Sequence, residues 1–132
     1  MPRINHRVWI QALSVLTGLV LLVIGVRFLL VPSQAARFFG TAPPAPGTSR
    51  ALYYVIGLRD IWLALIVIGL AWVRDWRGLA LWLGLGAAVC FGDAAIVTHA
   101  TGKVQAIAFH AICGVFCGAL SLASWRQHRR NS

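Results

Sequence analysis

The sequence predicts an all-α membrane protein: one antiparallel bundle of four transmembrane helices with both termini cytoplasmic. Three observations carry that reading. Four long apolar runs can be marked, at residues 8–31, 53–73, 78–98 and 104–125, and each is near or above the roughly 20 residues that a helix needs to cross about 30 Å of hydrocarbon. The 132-residue chain is 59% hydrophobic and only 11% charged, which leaves too few charges to clothe a soluble domain of this size. The basic residues are also unevenly divided. Arg3, Arg7, Arg74, Arg77, Arg126, Arg129 and Arg130 fall on the face shared by the termini and the second loop, against Arg37, Arg50 and Lys103 on the other. By the positive-inside rule the richer face is cytoplasmic, and Trp9, Trp72, Trp76 and Trp125 lie near it, as an aromatic belt would. The expected location is integral and multi-pass, in a plasma (inner) membrane.

The net charge of +9 would point to nucleic acid in a soluble protein. Here the basic residues are scattered and no recognition motif accompanies them, so the lipid bilayer is the expected partner and nucleic acid is not. The first apolar run is much longer than the core of a cleaved signal peptide, and three more spans follow it. Cys90, Cys113 and Cys117 all lie inside spans, which leaves no external disulfide framework. Cys113 and Cys117 share a helix face and with one histidine would imitate a soft metal site; small, polarisable residues at a helix interface are the plainer reading. No metal and no cofactor is expected.

Taken in order, residues 1–7 form a short basic head. Helix one carries Ser14, Thr17, Gly18 and Gly25, small residues suited to close helix contact, and Arg27 one turn before its outer end, where snorkelling to the interface is the competing explanation. Residues 32–52 form the long outer loop. Ser33 is placed to cap a short helix there, with Ala35, Ala36, Phe38 and Phe39 as an apolar side lying in the interface. Pro43, Pro44, Pro46 and Gly47 then break regular structure. A lid over the outer mouth is one reading of this segment; a plain interfacial anchor is the preferred one. Helix two starts near Tyr53 and Tyr54 and contains Arg59-Asp60. Arg74-Asp75-Trp76-Arg77 makes a tight turn. Helix three is rich in glycine and alanine and has one charge, Asp93. Gly102 is a helix stop. Helix four carries His110 and Gly114-x-x-x-Gly118, a spacing that allows close packing with a neighbouring helix or with a second copy of the chain, so a homo-oligomer through Gly114 and Gly118 is one expectation.

Ionisable groups at membrane depth are rare and face a protein interior or a watery cavity. Counted from each helix centre at 1.5 Å per residue, Asp60 and Arg59 fall roughly 4–6 Å outward, Asp93 and His110 about 7 Å, and Arg27 about 10 Å. All lie in the non-cytoplasmic half, on four helices, and unrelated polar residues would have no reason to agree in depth. Two arginines and two aspartates balance, which lowers the cost of keeping each charged, and His110 is left as the group that exchanges a proton near neutral pH. The bland alternative is a salt-bridge network that only fixes helix packing.

On Gly57-x-Arg59-Asp60, the lone Asp93 and His110, the chain resembles small four-helix integral membrane proteins of unknown function, loosely like the DoxX group. The resemblance implies the four-helix architecture and weight on these positions; it implies no reaction. The residues themselves support three functions. The preferred one is a membrane enzyme acting on a lipophilic small molecule. In it Asp60, Asp93 and His110 supply general acid and base, Arg59 stabilises developing negative charge, and Arg27, Tyr53 and Tyr54 contact the ligand. Isomerisation, epoxide opening or cyclisation would suit such a site. The alternatives are a proton-coupled transporter, for which no polar pathway toward the cytoplasmic end is visible, and an accessory subunit that uses the ion network for assembly.

Overall fold

The computed structural model describes residues 6–43, 45 and 49–131. Within them lie five helices, α1 His6–Leu30, α2 Pro32–Phe39, α3 Ala51–Trp72, α4 Trp76–Ala100 and α5 Val104–Arg129, and no strand. The four long ones are each apolar and long enough to cross a membrane. They exceed the expected spans mainly at their ends, where a helix continues into the interface while its backbone hydrogen bonds are still met internally. The basic head before His6, with Arg3, and the loop residues Pro44, Pro46 and Gly47 lie outside the described residues.

Each boundary has a local cause. Pro32 drives Val31 out of helical geometry, to φ −135° and ψ 60°, because a residue before proline clashes in the α region. That ends α1 and starts α2 with proline at its first turn, where its missing N–H costs nothing. Ser33 is therefore not the cap: Val31 holds that position, and no side chain caps the helix. α2 stops at Gly40, whose φ of 97° is the left-handed geometry that glycine adopts without strain. The α3–α4 turn places Arg74 at φ 56° and turns Asp75 into an N-cap, its carboxylate accepting from the Gly78 N–H at 3.0 Å. Gly102, at φ 64°, closes the turn after α4 as the sequence predicts.

The long helices alternate in direction, and the two ends of the chain meet: the Arg7 guanidinium donates to Asn131 Oδ1 at 2.9 Å. α1 packs along α3 and α4 along α5, and these two pairs meet across a less extensive seam. In the first pair Gly25 and Gly57 face each other so closely that a Cβ on either would come within 2.8 Å or less of the other's carbonyl oxygen. In the second, Gly84 lies opposite Ser121, Gly118 opposite Ala87 and Gly114 under the ring of Phe91, a constant antiparallel register. Gly114 and Gly118 are thus used inside the chain, against α4. Small residues let the backbones approach, which is what holds helices together where lipid is as apolar as leucine.

The core is concentrated near the termini end. Ile10, Val67, Ala71, Leu79, Leu83 and Leu120 form one buried cluster there. Trp76 joins it at 7% exposure, so it belongs to the core rather than to an interfacial belt; of the four expected belt residues, Trp9, Trp72 and Trp125 project outward. The opposite flanks of all four helices expose large side chains such as Trp62, Leu85, Ile112 and Val115 in mid-span. Water would not tolerate so continuous an apolar surface, and lipid would.

Candidate functional site

On α3 the buried residues are Gly57, Asp60, Ala64, Val67 and Ala71, spaced three or four apart and so on one face. Asp60 takes a position in that stripe that would otherwise suit a small apolar residue, and only 3% of it is exposed. Arg59, one residue earlier, projects beside the stripe and curls back. Its Nε and Nη2 donate to the same carboxylate oxygen, Asp60 Oδ1, at 3.2 and 3.0 Å. The two residues differ sharply in setting: the Arg59 side chain is 53% exposed and that of Asp60 5%. This is the single ion pair among the described residues. A carboxylate buried without such a partner would carry a large desolvation cost.

Asp93 and His110 are brought together by the α4–α5 register. Continuing the Gly84–Ser121, Ala87–Gly118 and Phe91–Gly114 steps toward the α2 end sets Asp93 near His110. A further turn sets Val97 near Ala106, where both would collide with a Cβ on Gly40. Asp93 is half-buried and lies within electrostatic reach of His110, Arg59 and, across the seam, Asp60. Its own carboxylate takes part in no hydrogen bond or ion pair among the described residues.

His110 is buried, and its Nε2 lies 3.0 Å from the carbonyl oxygen of Phe39. A carbonyl only accepts, so Nε2 carries a hydrogen and donates it, which leaves Nδ1 as the ring nitrogen not engaged by Phe39. The Phe39 ring meets the imidazole edge-on, centroids 4.4 Å apart. Helix α2 is thereby packed over this end of the seam. Its Ala35 and Ala36 are buried against the bundle, the Gly40 carbonyl accepts from Thr101 Oγ1 at 2.6 Å, and the carbonyl of Phe39 orients the histidine. Phe39 had no signal in the sequence, because its contribution is a main-chain oxygen.

Four of the predicted residues, Arg59, Asp60, Asp93 and His110, are thus assembled around one seam. The other three stand apart. Arg27 is exposed, with its guanidinium 5.6 Å from the centre of the Phe38 ring, the interfacial position expected of a snorkelling arginine. Tyr53 stacks on Phe28 and donates its hydroxyl to the Ala42 carbonyl at 2.9 Å, tying down the loop after α2. Tyr54 projects outward. One turn from Asp93 toward the core, the Cys90 and Cys117 side chains lie beside each other. Among the described residues no group of three histidine, cysteine or acidic side chains is placed to hold a metal ion.

Four apolar crossings, lipid-suited flanks and a seam of ionisable groups define a multi-pass integral membrane protein of the four-helix-bundle kind. Within that class the chain belongs to the family described as Domain of unknown function (DUF4267), whose profile matches residues 18–124 and so takes in both helix pairs and all four seam residues. No curated protein and no solved structure matches the chain.

Proposed function

We propose that the seam is a site where a lipophilic small molecule is bound and converted by acid–base chemistry. The observation that carries this reading is the unengaged carboxylate of Asp93. A network serving only to fix helix packing would pair each of its charged groups. Here Asp60 is held by Arg59, and His110 by Phe39, while Asp93 keeps its lone pairs beside both.

In this mechanism Asp93 removes a proton from the ligand, and His110, through Nδ1, is the second proton-transfer group. The guanidinium of Arg59, bound to Asp60 on one side and half-exposed on the other, stabilises oxygen-centred negative charge as it develops. Asp60 keeps that guanidinium in place. An isomerisation, an epoxide opening or a cyclisation needs no more than these groups. Entry is lateral, from lipid, because the apolar core around Val67, Leu79 and Leu83 closes the bundle toward the termini. That same core weighs against proton-coupled transport. The assembly reading draws on one fact, the exposed side of Arg59 in mid-span, which a partner's anion would also suit. Exposed Arg7, Arg74, Arg77, Arg126 and Arg129 around the termini support a cytoplasmic termini end in a plasma (inner) membrane.

Native mass spectrometry of the protein in mild detergent, wild type beside Asp93→Asn, tests the reading. A discrete small molecule retained by wild type and lost from the equally folded variant is expected. Equal retention by both removes Asp93 from the site, and a larger protein co-purifying only with wild type moves the weight to assembly.

A further inference from the structure

A second polar feature lies apart from the seam, at the rim where α2 meets the start of α5. A cleft of ≈ 530 Å³ opens there, lined by Arg37, Phe38, Lys103, Val104, Gln105 and Phe109, with Ala106 beneath. Phe38 and Phe109 meet edge-to-face at 5.4 Å, and the guanidinium of Arg27 covers the Phe38 ring at 5.6 Å. The cleft thus has an apolar floor and three cations around it, of which Arg37 and Lys103 line it directly.

Those cations have no acidic counterpart. The chain has only three acidic residues: Asp60 is bound to Arg59, Asp75 caps α4 at the opposite end of the bundle, and Asp93 lies within the seam. Charge at this rim is therefore one-sided, and its position, at the ends of two membrane-crossing helices, is headgroup depth. Arginine and lysine at such a level pair with phosphate oxygens, arginine in a bidentate fork, while the aromatic floor suits the glycerol and upper acyl carbons.

We propose that this rim cleft binds the phosphate headgroup of an anionic glycerophospholipid. Arg37 and Lys103 hold the phosphate, Gln105 adds a neutral donor, and Phe38 and Phe109 pack against the glycerol and the first methylenes. The site is separate from Asp93, and each can fail without the other.

The test adds phosphatidylglycerol, or phosphatidylcholine with the same acyl chains, to the detergent-purified protein and reads bound lipid by native mass spectrometry. Wild type is expected to retain phosphatidylglycerol preferentially. Since each basic side chain near an anionic lipid contributes roughly fivefold, the Arg37→Gln/Lys103→Gln double variant should bind it roughly twenty-five-fold more weakly. Arg74→Gln/Arg77→Gln, which removes two exposed cations from the other end, should leave retention unchanged, as should millimolar inorganic phosphate added as a competitor. Retention by the rim variant equal to wild type overturns the proposal, as does equal binding of the two lipids. An equal loss in the distal variant shows charge attraction without a site, and displacement by inorganic phosphate shows a free-anion site in place of a lipid one.

Discussion

The two halves of this bundle use the same helix faces in opposite ways. Along α3 the buried stripe begins with Gly57 and Asp60 and ends with Val67 and Ala71; along α5 it begins with Ala106 and His110, runs through Cys117 and Leu120, and ends with the neutral Ser124 and Gln127. The spacing does not change from one half to the other, so the packing geometry would have accepted apolar residues throughout. Near the termini no ionisable group is buried: Ile10, Leu79, Leu83 and Leu120 close the centre, and the buried polar side chains there, Ser14, Ser124 and Gln127, are neutral. At the α2 end the equivalent positions hold Asp60 and His110, with Asp93 beside them. The difference teaches that ionisable groups at the seam are not a requirement of the fold: the other half joins the same helices through apolar and neutral side chains.

Perturbing the two halves in parallel should separate them. Leu83→Ala, at a fully buried core position, is expected to cost about 2–5 kcal/mol, the range for truncation of a close-packed leucine, read from reversible denaturation in mixed micelles. A cost under about 1 kcal/mol would mean that the termini end is not the stabilising half. Gly57→Val comes next, at about 1–3 kcal/mol for forced overpacking. A Cβ at Gly57 would lie 2.7 Å from the Gly25 carbonyl oxygen, and backbone does not yield as a flexible side chain does.

Asp93→Leu should run the other way. Exchanging a carboxylate without a hydrogen bond for an apolar side chain in the span is expected to raise stability, by on the order of 1 kcal/mol, while ligand retention is lost. Destabilisation comparable to that of Leu83→Ala would make Asp93 a structural residue and erase the contrast between the halves. The smallest effect is expected at Ser14, fully buried in α1 with no partner for its hydroxyl among the described residues. Ser14→Ala should be neutral to stabilising, by no more than about 1 kcal/mol in the same titration. A clear loss of stability there would reveal a polar requirement in the core that the comparison denies.

Much of the architecture was legible in the chain alone, and for a physical reason. A bilayer forces every backbone polar group to be met within its own segment, so length and apolarity suffice to locate the spans. Gly102 stops a helix through backbone sterics, which are local. Charged residues inside hydrocarbon stand out for the same reason, which is how Arg59, Asp60, Asp93 and His110 are found without coordinates.

What only the tertiary structure decided was the rotation of each helix about its axis. In a soluble bundle the polar face betrays that rotation; here the lipid face and the core face are both apolar, so the pattern of residues does not distinguish them. Hence the sequence could not show that Gly25 meets Gly57, that Gly114 and Gly118 are used against α4, or that Trp76 turns inward while Trp72 turns out. Nor could it show that Arg59 lies half outside the stripe that buries its neighbour Asp60, or that Arg27 stays at the rim. The carbonyl of Phe39 that fixes His110 belongs to a group every residue has, and only the packing of α2 over the seam selects it.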